Sequence, residues 1–187
     1  MRRAFYFCLI TLPLAACNSG GPTVTATNAS SAEVGAKVAA ATDNGAMVQP
    51  GRWEGTTTIA DMKMPLLPAD QQASLAGKMG KPDKIVSCIT PEDAKANRAF
   101  FTGNDDKSCK YDHFTMSGGK LDAAMSCAQA DGRMSATMTG TYSATSYHMT
   151  MASNTEGRKD NPYGTMSVKV TVDAQRVGEC RGTESKE

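Results

Sequence analysis

The chain has 187 residues, 20 of them basic and 19 acidic, and 40% of its side chains are apolar. A near-zero charge with no Lys/Arg cluster and no basic-aromatic stripe gives no long-range attraction for a phosphate backbone, so nucleic acid is not an expected partner. The length allows one ordinary domain plus terminal segments.

Residues 1–16 have the form of a lipoprotein signal peptide. Arg2 and Arg3 supply a basic start, an apolar run extends from Ala4 to about Leu14, and Leu14-Ala15-Ala16-Cys17 closes it with small residues where a signal peptidase cuts. The run is too short to cross a bilayer as a helix. Arg2-Arg3 has a faint twin-arginine look but lacks the flanking pattern, so ordinary secretion is the expectation. Cleavage before Cys17 makes its thiol the lipidation site and the membrane a partner through that anchor. Asn18 stands where an aspartate commonly marks inner-membrane retention, which points to the periplasmic face of the outer membrane in a bacterial envelope. The mature chain then carries 18 basic against 19 acidic side chains, because only Arg2 and Arg3 are lost.

Residues 17–48 read as a flexible tether. From Asn18 to Met47 the chain is rich in Ala, Thr, Ser, Gly and Asn and has no aromatic residue to bury. About 30 such residues reach roughly 30 Å. Glu33 to Ala41 is compatible with a transient helix, but the alanines there read as linker.

Residues 49–187 are expected to form a disulfide-stabilised, β-rich domain. Pro50-Gly51 makes a turn, after which Trp53, Gly55, Thr57 and Ile59 share one strand face and Glu54, Thr56 and Thr58 the other. Trp53, the only tryptophan, is expected to anchor the core rather than to stack on a ligand. Pro68 to Met79 suits a helix ending at Gly80, and Ile85 to Ile89 a short strand. Thr90-Pro91-Glu92-Asp93 supplies an N-cap residue, a proline at the first helical position and acids where the helix dipole favours them, predicting a helix from Pro91 to about Phe101.

The C-terminal half alternates cleanly. Met134, Ala136, Met138, Gly140 and Tyr142 face one way, with Ser135, Thr137, Thr139 and Thr141 opposite. Tyr147, Met149 and Met151 continue the dry face, and beyond a polar loop around Asn154 to Gly164 so do Met166, Val168, Val170 and Val172. The predicted fold is mainly β: a single antiparallel, strongly curved sheet or open barrel-like meander with two short helices and two disulfides.

The cysteines follow from the same register. With Cys8 removed and Cys17 lipidated, Cys88, Cys109, Cys127 and Cys180 remain, and four thiols in an oxidising compartment make two bridges. Gly118-Gly119 reads as a two-residue hairpin turn that sets Met116 opposite Leu121 and Phe114 opposite Ala123. That register leaves Cys109 one place out of step with Cys127. One extra residue near Asp112 and His113 repairs this and puts Tyr111 opposite Met125 on the buried face. Cys88 then pairs with Cys180, a closure that contributes about 4 kcal/mol through the unfolded state.

Chemistry-bearing patterns are sparse. There is no Cys-x-x-Cys pair, nucleophile elbow, phosphate-binding glycine loop or His-Glu-x-x-His helix, so neither catalysis nor a cofactor is expected. His113 and His148 read as partly exposed strand residues rather than bases. Asp105-Asp106-Lys107 reads as a turn, not a calcium loop. Met62-Lys63-Met64 and Met149-Thr150-Met151 resemble spaced thioethers that hold cuprous ions, with His148 beside the second pair. No metal site is favoured, because Met149 and Met151 lie on the dry face where methionine fills gaps. Met62 and Met64, before Pro65, are also compatible with an exposed apolar lip.

Pro50-Gly51-Arg52-Trp53-Glu54, Cys88-Ile89-Thr90-Pro91-Glu92, Cys109, Cys127, Gly140-Thr141-Tyr142 with Ser146-Tyr147, and Gly178-Glu179-Cys180 resemble the bacterial family filed as domain of unknown function 3617, over roughly Gln49 to Arg181. The resemblance implies an exported, often lipid-anchored, cysteine-bearing β-rich domain and carries over no functional residues. The expected function is a non-catalytic envelope lipoprotein, a binding or structural module for an envelope protein or a small apolar ligand, with a soft-metal binder using Met62, Met64, Met149 and Met151 as the alternative.

Overall fold

The computed structural model describes residues 22–42, 47–77, 79–96, 108–130, 132–157, 161 and 164–184. Cys17 with its preceding motif, Asn18 and Asp105-Asp106-Lys107 lie outside the described residues.

Eight strands form one antiparallel sheet: β1 (Val24–Ala29), β2 (Gly51–Lys63), β3 (Pro82–Ile89), β4 (Cys109–Ser117), β5 (Lys120–Gln129), β6 (Gly132–Tyr142), β7 (Ser146–Glu156) and β8 (Thr165–Gly178). Their spatial order is β1-β4-β5-β6-β7-β8-β2-β3. The strands β4 to β8 are a continuous meander, joined at one edge by β1 and at the other by the β2–β3 pair. Helices α1 (Ser31–Ala41), α2 (Ala69–Ala76) and α3 (Pro91–Lys95) complete the described elements.

This arrangement corrects the barrel expectation. The sheet is open, with β1 and β3 as its two edges, and is neither closed nor strongly curled. Evenly spaced short strands are compatible with either outcome. Among the described residues three helices are present rather than two, and the first of the expected pair is shorter: α2 covers Ala69–Ala76 of the 68–79 window. The second, α3, spans Pro91–Lys95, while residues 97–101 of its expected length lie outside the described residues. Its start is as expected, since the Thr90 hydroxyl accepts from the Asp93 amide at 3.1 Å.

The tether expectation for 17–48 fails over residues 22–42. Val24 and Ala26 point into the core, and β1 pairs along β4 with Val24 opposite Met116 and Ala29 opposite Tyr111. Ser30 then caps α1 through a reciprocal capping box with Glu33. Val34 and Val38, four residues apart on one helical face, are completely buried. Low hydrophobicity misleads here because the existing sheet supplies the other half of the contact. An edge strand of small residues and two valines suffice. The folded domain therefore begins before residue 49 and includes β1 and α1.

Within the sheet, cross-strand rows carry the apolar face. One row runs Val24, Met116, Leu121, Gly140, Met149, Val172 and Thr57; the next runs Ala26, Phe114, Ala123, Met138, Met151, Val170 and Ile59. A third runs Ala29, Tyr111, Met125, Ala136, Ser153, Val168 and Met62. Met47, Val48, Ile89 and Ala94 join the end of this face nearest the first row, and Val34 and Val38 join over β1 and β4, in one buried cluster. Trp53 anchors that end at 1% exposure. Its indole N–H donates to the Gln49 carbonyl at 3.1 Å, and its ring lies 5.4 Å from that of Tyr147.

Two bridges tie the ends of this structure. Cys109 faces Cys127 across β4 and β5, with Cα atoms 3.9 Å apart, and Cys88 joins Cys180 over a sequence separation of 92. Beside the second bridge, Arg52 is buried between Glu54, 2.8 Å from its Nε, and Glu184, 3.6 Å from its Nη1. The last described turn is thereby fastened to the start of β2.

Candidate functional site

A groove lies on the apolar face. It has a volume of about 310 Å³ and is lined by Tyr111, Met125, Met138, Met151, Val168 and Val170, among others. Its position follows from the rows. The apolar side chains of β1 and β4, on which α1 packs, are buried in all three rows, whereas the second and third rows of β6 to β8 are only partly covered. Met149 is 3% exposed, whereas Met151, two residues along the same strand and face, is 39% exposed.

Each lining side chain is placed by strand alternation. Met138 stands opposite Met151, and Met151 opposite Val170, so three neighbouring strands contribute a continuous floor with side chains about 5 Å apart. Tyr111 reaches this face because β4 carries a register shift between Tyr111 and His113. Without it, Tyr111 and Cys109 would point to the polar side. The Tyr111 ring meets Phe114 edge to face at 5.6 Å, and burial pushes the pKa of its hydroxyl up. Three thioethers are among the liners, and their unbranched side chains make the floor adaptable in shape.

The metal alternative finds no shared centre. Met149 and Met151 are on β7, Met62 ends β2, and β8 lies between the two strands. That alone separates them by roughly 10 Å sideways. Met149 packs in the core against the position where Gly140 has no side chain. The Sδ of Met79 lies 3.2 Å from the Met62 amide. Among the described residues no group of three or more His, Cys, Asp and Glu side chains could hold a metal ion.

The opposite face is polar and presents both histidines. His113 Nε2 lies 2.5 Å from Asp122, and His148 Nδ1 lies 2.6 Å from Asp173. All four side chains are about half exposed. His148 and Asp173 also line a second, more polar depression of about 260 Å³ with Thr141, Ser143, Ser146 and Gln175.

Several parts of the groove were legible in the sequence. The dry-face assignment of Met134 to Tyr142, Tyr147 to Met151 and Met166 to Val172 agrees with the observed faces, and so does the pairing of Tyr111 with Met125. What sequence reasoning missed is that part of that face stays open. The signal lay in residues 24–42: a capping box at Ser30 and a Val34/Val38 stripe predict a helix, which covers only the β1 and β4 edge of the sheet.

These features define a disulfide-stapled, single-sheet antiparallel β domain with one partly open apolar face. The chain belongs to the family DUF3617, described as a protein of unknown function, whose model matches residues 48–180. No curated protein and no solved structure matches it. Both β1 and α1 precede the matched region.

Proposed function

We propose that the protein is a non-catalytic, lipid-anchored module of the bacterial envelope that holds a small apolar molecule in the groove over Met138 and Met151. The groove itself carries this reading. Its volume of about 310 Å³ falls at the lower end of small-molecule sites, and those sites are characteristically concave and mostly apolar. A methionine-rich lining suits a ligand recognised by shape and apolarity rather than by fixed polar contacts.

The envelope assignment draws on Arg2, Arg3 and Leu14-Ala15-Ala16-Cys17, with Cys17 as the lipidation site and Asn18 favouring the periplasmic face of the outer membrane. No helix among the described residues is long and apolar enough to cross a membrane. Two disulfides suit an oxidising compartment.

Native mass spectrometry of the protein purified from its own envelope, combined with titration of the neutral apolar dye Nile red, tests the binding reading. The expected result is a co-purifying apolar mass released on denaturation, together with saturable dye binding that Ala136→Trp abolishes by filling the groove. A clean ligand-free mass with no saturable dye binding overturns it.

A further inference from the structure

We propose that Met151 is an oxidation site whose conversion to the sulfoxide weakens apolar binding in the groove; this rests on the reading of the groove given above. Of the 12 methionines in the chain, Met47, Met116 and Met149 are buried in the core, and Met125 and Met138 pack partly buried against it. Met151 is different. Among the described methionines it alone is in the exposed class, at 39% against 3% for Met149 and 0% for Met116.

Exposure and position coincide at this residue. A sulfur open to solvent reacts with hydroperoxides, while a sealed one on the same strand is shielded. In the step, a lone pair of the Met151 thioether attacks one oxygen of hydrogen peroxide. The S–O bond forms as the O–O bond breaks, sulfur loses two electrons, and the second oxygen leaves as water after proton transfer. The product is polar and sits in the middle of the floor, between Met138 on β6 and Val170 on β8. A guest lying there has to cover the S=O oxygen without giving it a hydrogen bond, which is unfavourable. The groove thus loses affinity without any change in backbone structure. Because the sulfoxide is reducible enzymatically, the loss is reversible.

The test treats the full-length protein with hydrogen peroxide and follows each methionine by peptide mass spectrometry, with Nile red affinity and circular dichroism measured on the same samples. The expected result is oxidation of Met151 ahead of Met149 and Met116, with dye affinity falling about tenfold, ~1.4 kcal/mol, and an unchanged far-ultraviolet spectrum. Met151→Leu should bind the dye and keep its affinity through the same treatment, and Met151→Gln should show the weaker affinity untreated. Full sulfoxide at Met151 with unaltered affinity overturns the proposal, and so does a Met151→Leu protein that loses affinity as the unmodified chain does. Failure of the untreated protein to bind the dye is a distinct result, which overturns the groove reading and this inference with it.

Discussion

Cys109 stands directly opposite Cys127 because β4 contains one more residue than its partner between there and the turn. Tyr111 pairs with Met125 and His113 with Ala124, which leaves Asp112 without a cross-strand partner in the ladder. Its carboxylate instead accepts from the Ser126 hydroxyl at 2.7 Å. Deleting Asp112 restores an unbroken two-residue alternation and turns both Tyr111 and Cys109 to the polar face. The deletion variant should lose the bridge, read as two additional free thiols by mass analysis. It should also lose about 3 kcal/mol, the scale for a loop of this length. A variant that keeps the bridge and its stability contradicts the role given to the bulge.

Val34 and Val38 decide whether residues 31–41 belong to the core. Both are fully buried, so Val34→Ala and Val38→Ala should each lower unfolding stability by about 2 kcal/mol. Substitutions in a solvated tether stay within about 0.5 kcal/mol. Urea denaturation of the two variants separates these outcomes.

Glu184 links stability to acid. The Arg181 amide donates to its carboxylate at 2.6 Å and holds its pKa below the ordinary carboxylate range, opposing desolvation, while the Arg52 charge adds to the lowering. A carboxylate with a depressed folded-state pKa contributes stability above its unfolded value and loses it as pH falls through the folded one. Glu33 has the same sign, with the Ser30 amide and hydroxyl as the causes. Glu184→Gln should therefore be less stable than the parent chain at pH 7, with the gap narrowing toward pH 3. Denaturant midpoints at the two pH values check it, and an unchanging gap argues against the linkage.

Gly140 gives Met149 its space. A Cβ built at Gly140 would lie 2.6 Å from the Met149 sulfur and 2.1 Å from the His148 carbonyl oxygen, distances at which something has to shift. Gly140→Ala should destabilise the fold by about 1–3 kcal/mol, the range for overpacking a filled core. Pairing it with Met149→Ala should recover little of that loss, because the carbonyl contact is with fixed backbone. Thermal melts of the single and double variants provide the measurement.

What could be read from the chain was whatever is encoded within a few residues. The Gly118-Gly119 turn, with both glycines at positive φ, fixes a hairpin register, and a phase slip between Tyr111 and Phe114 exposes the bulge. Thr90-Pro91 sets a helix start. The curvature of the sheet is a sum of small strand twists that no local pattern states, hence the barrel expectation and the open result. Residues 24–29 have no aromatic residue and a single branched apolar one, Val24, and fold because β4 offers an unpaired edge. The groove was invisible for a related reason: its floor was correctly assigned, but its mouth exists only where α1 stops covering that floor.

The direction of β1 gives the molecule two poles. The described part of the chain starts at residue 22, and the Thr23 hydroxyl meets that of Ser117 at 3.0 Å beside the Gly118-Gly119 turn. The row of Tyr111 and Met125 is reached at Ala29, six residues further along β1, about 20 Å away. The first described residues therefore lie beside the first-row end of the sheet, and the groove lies toward the other.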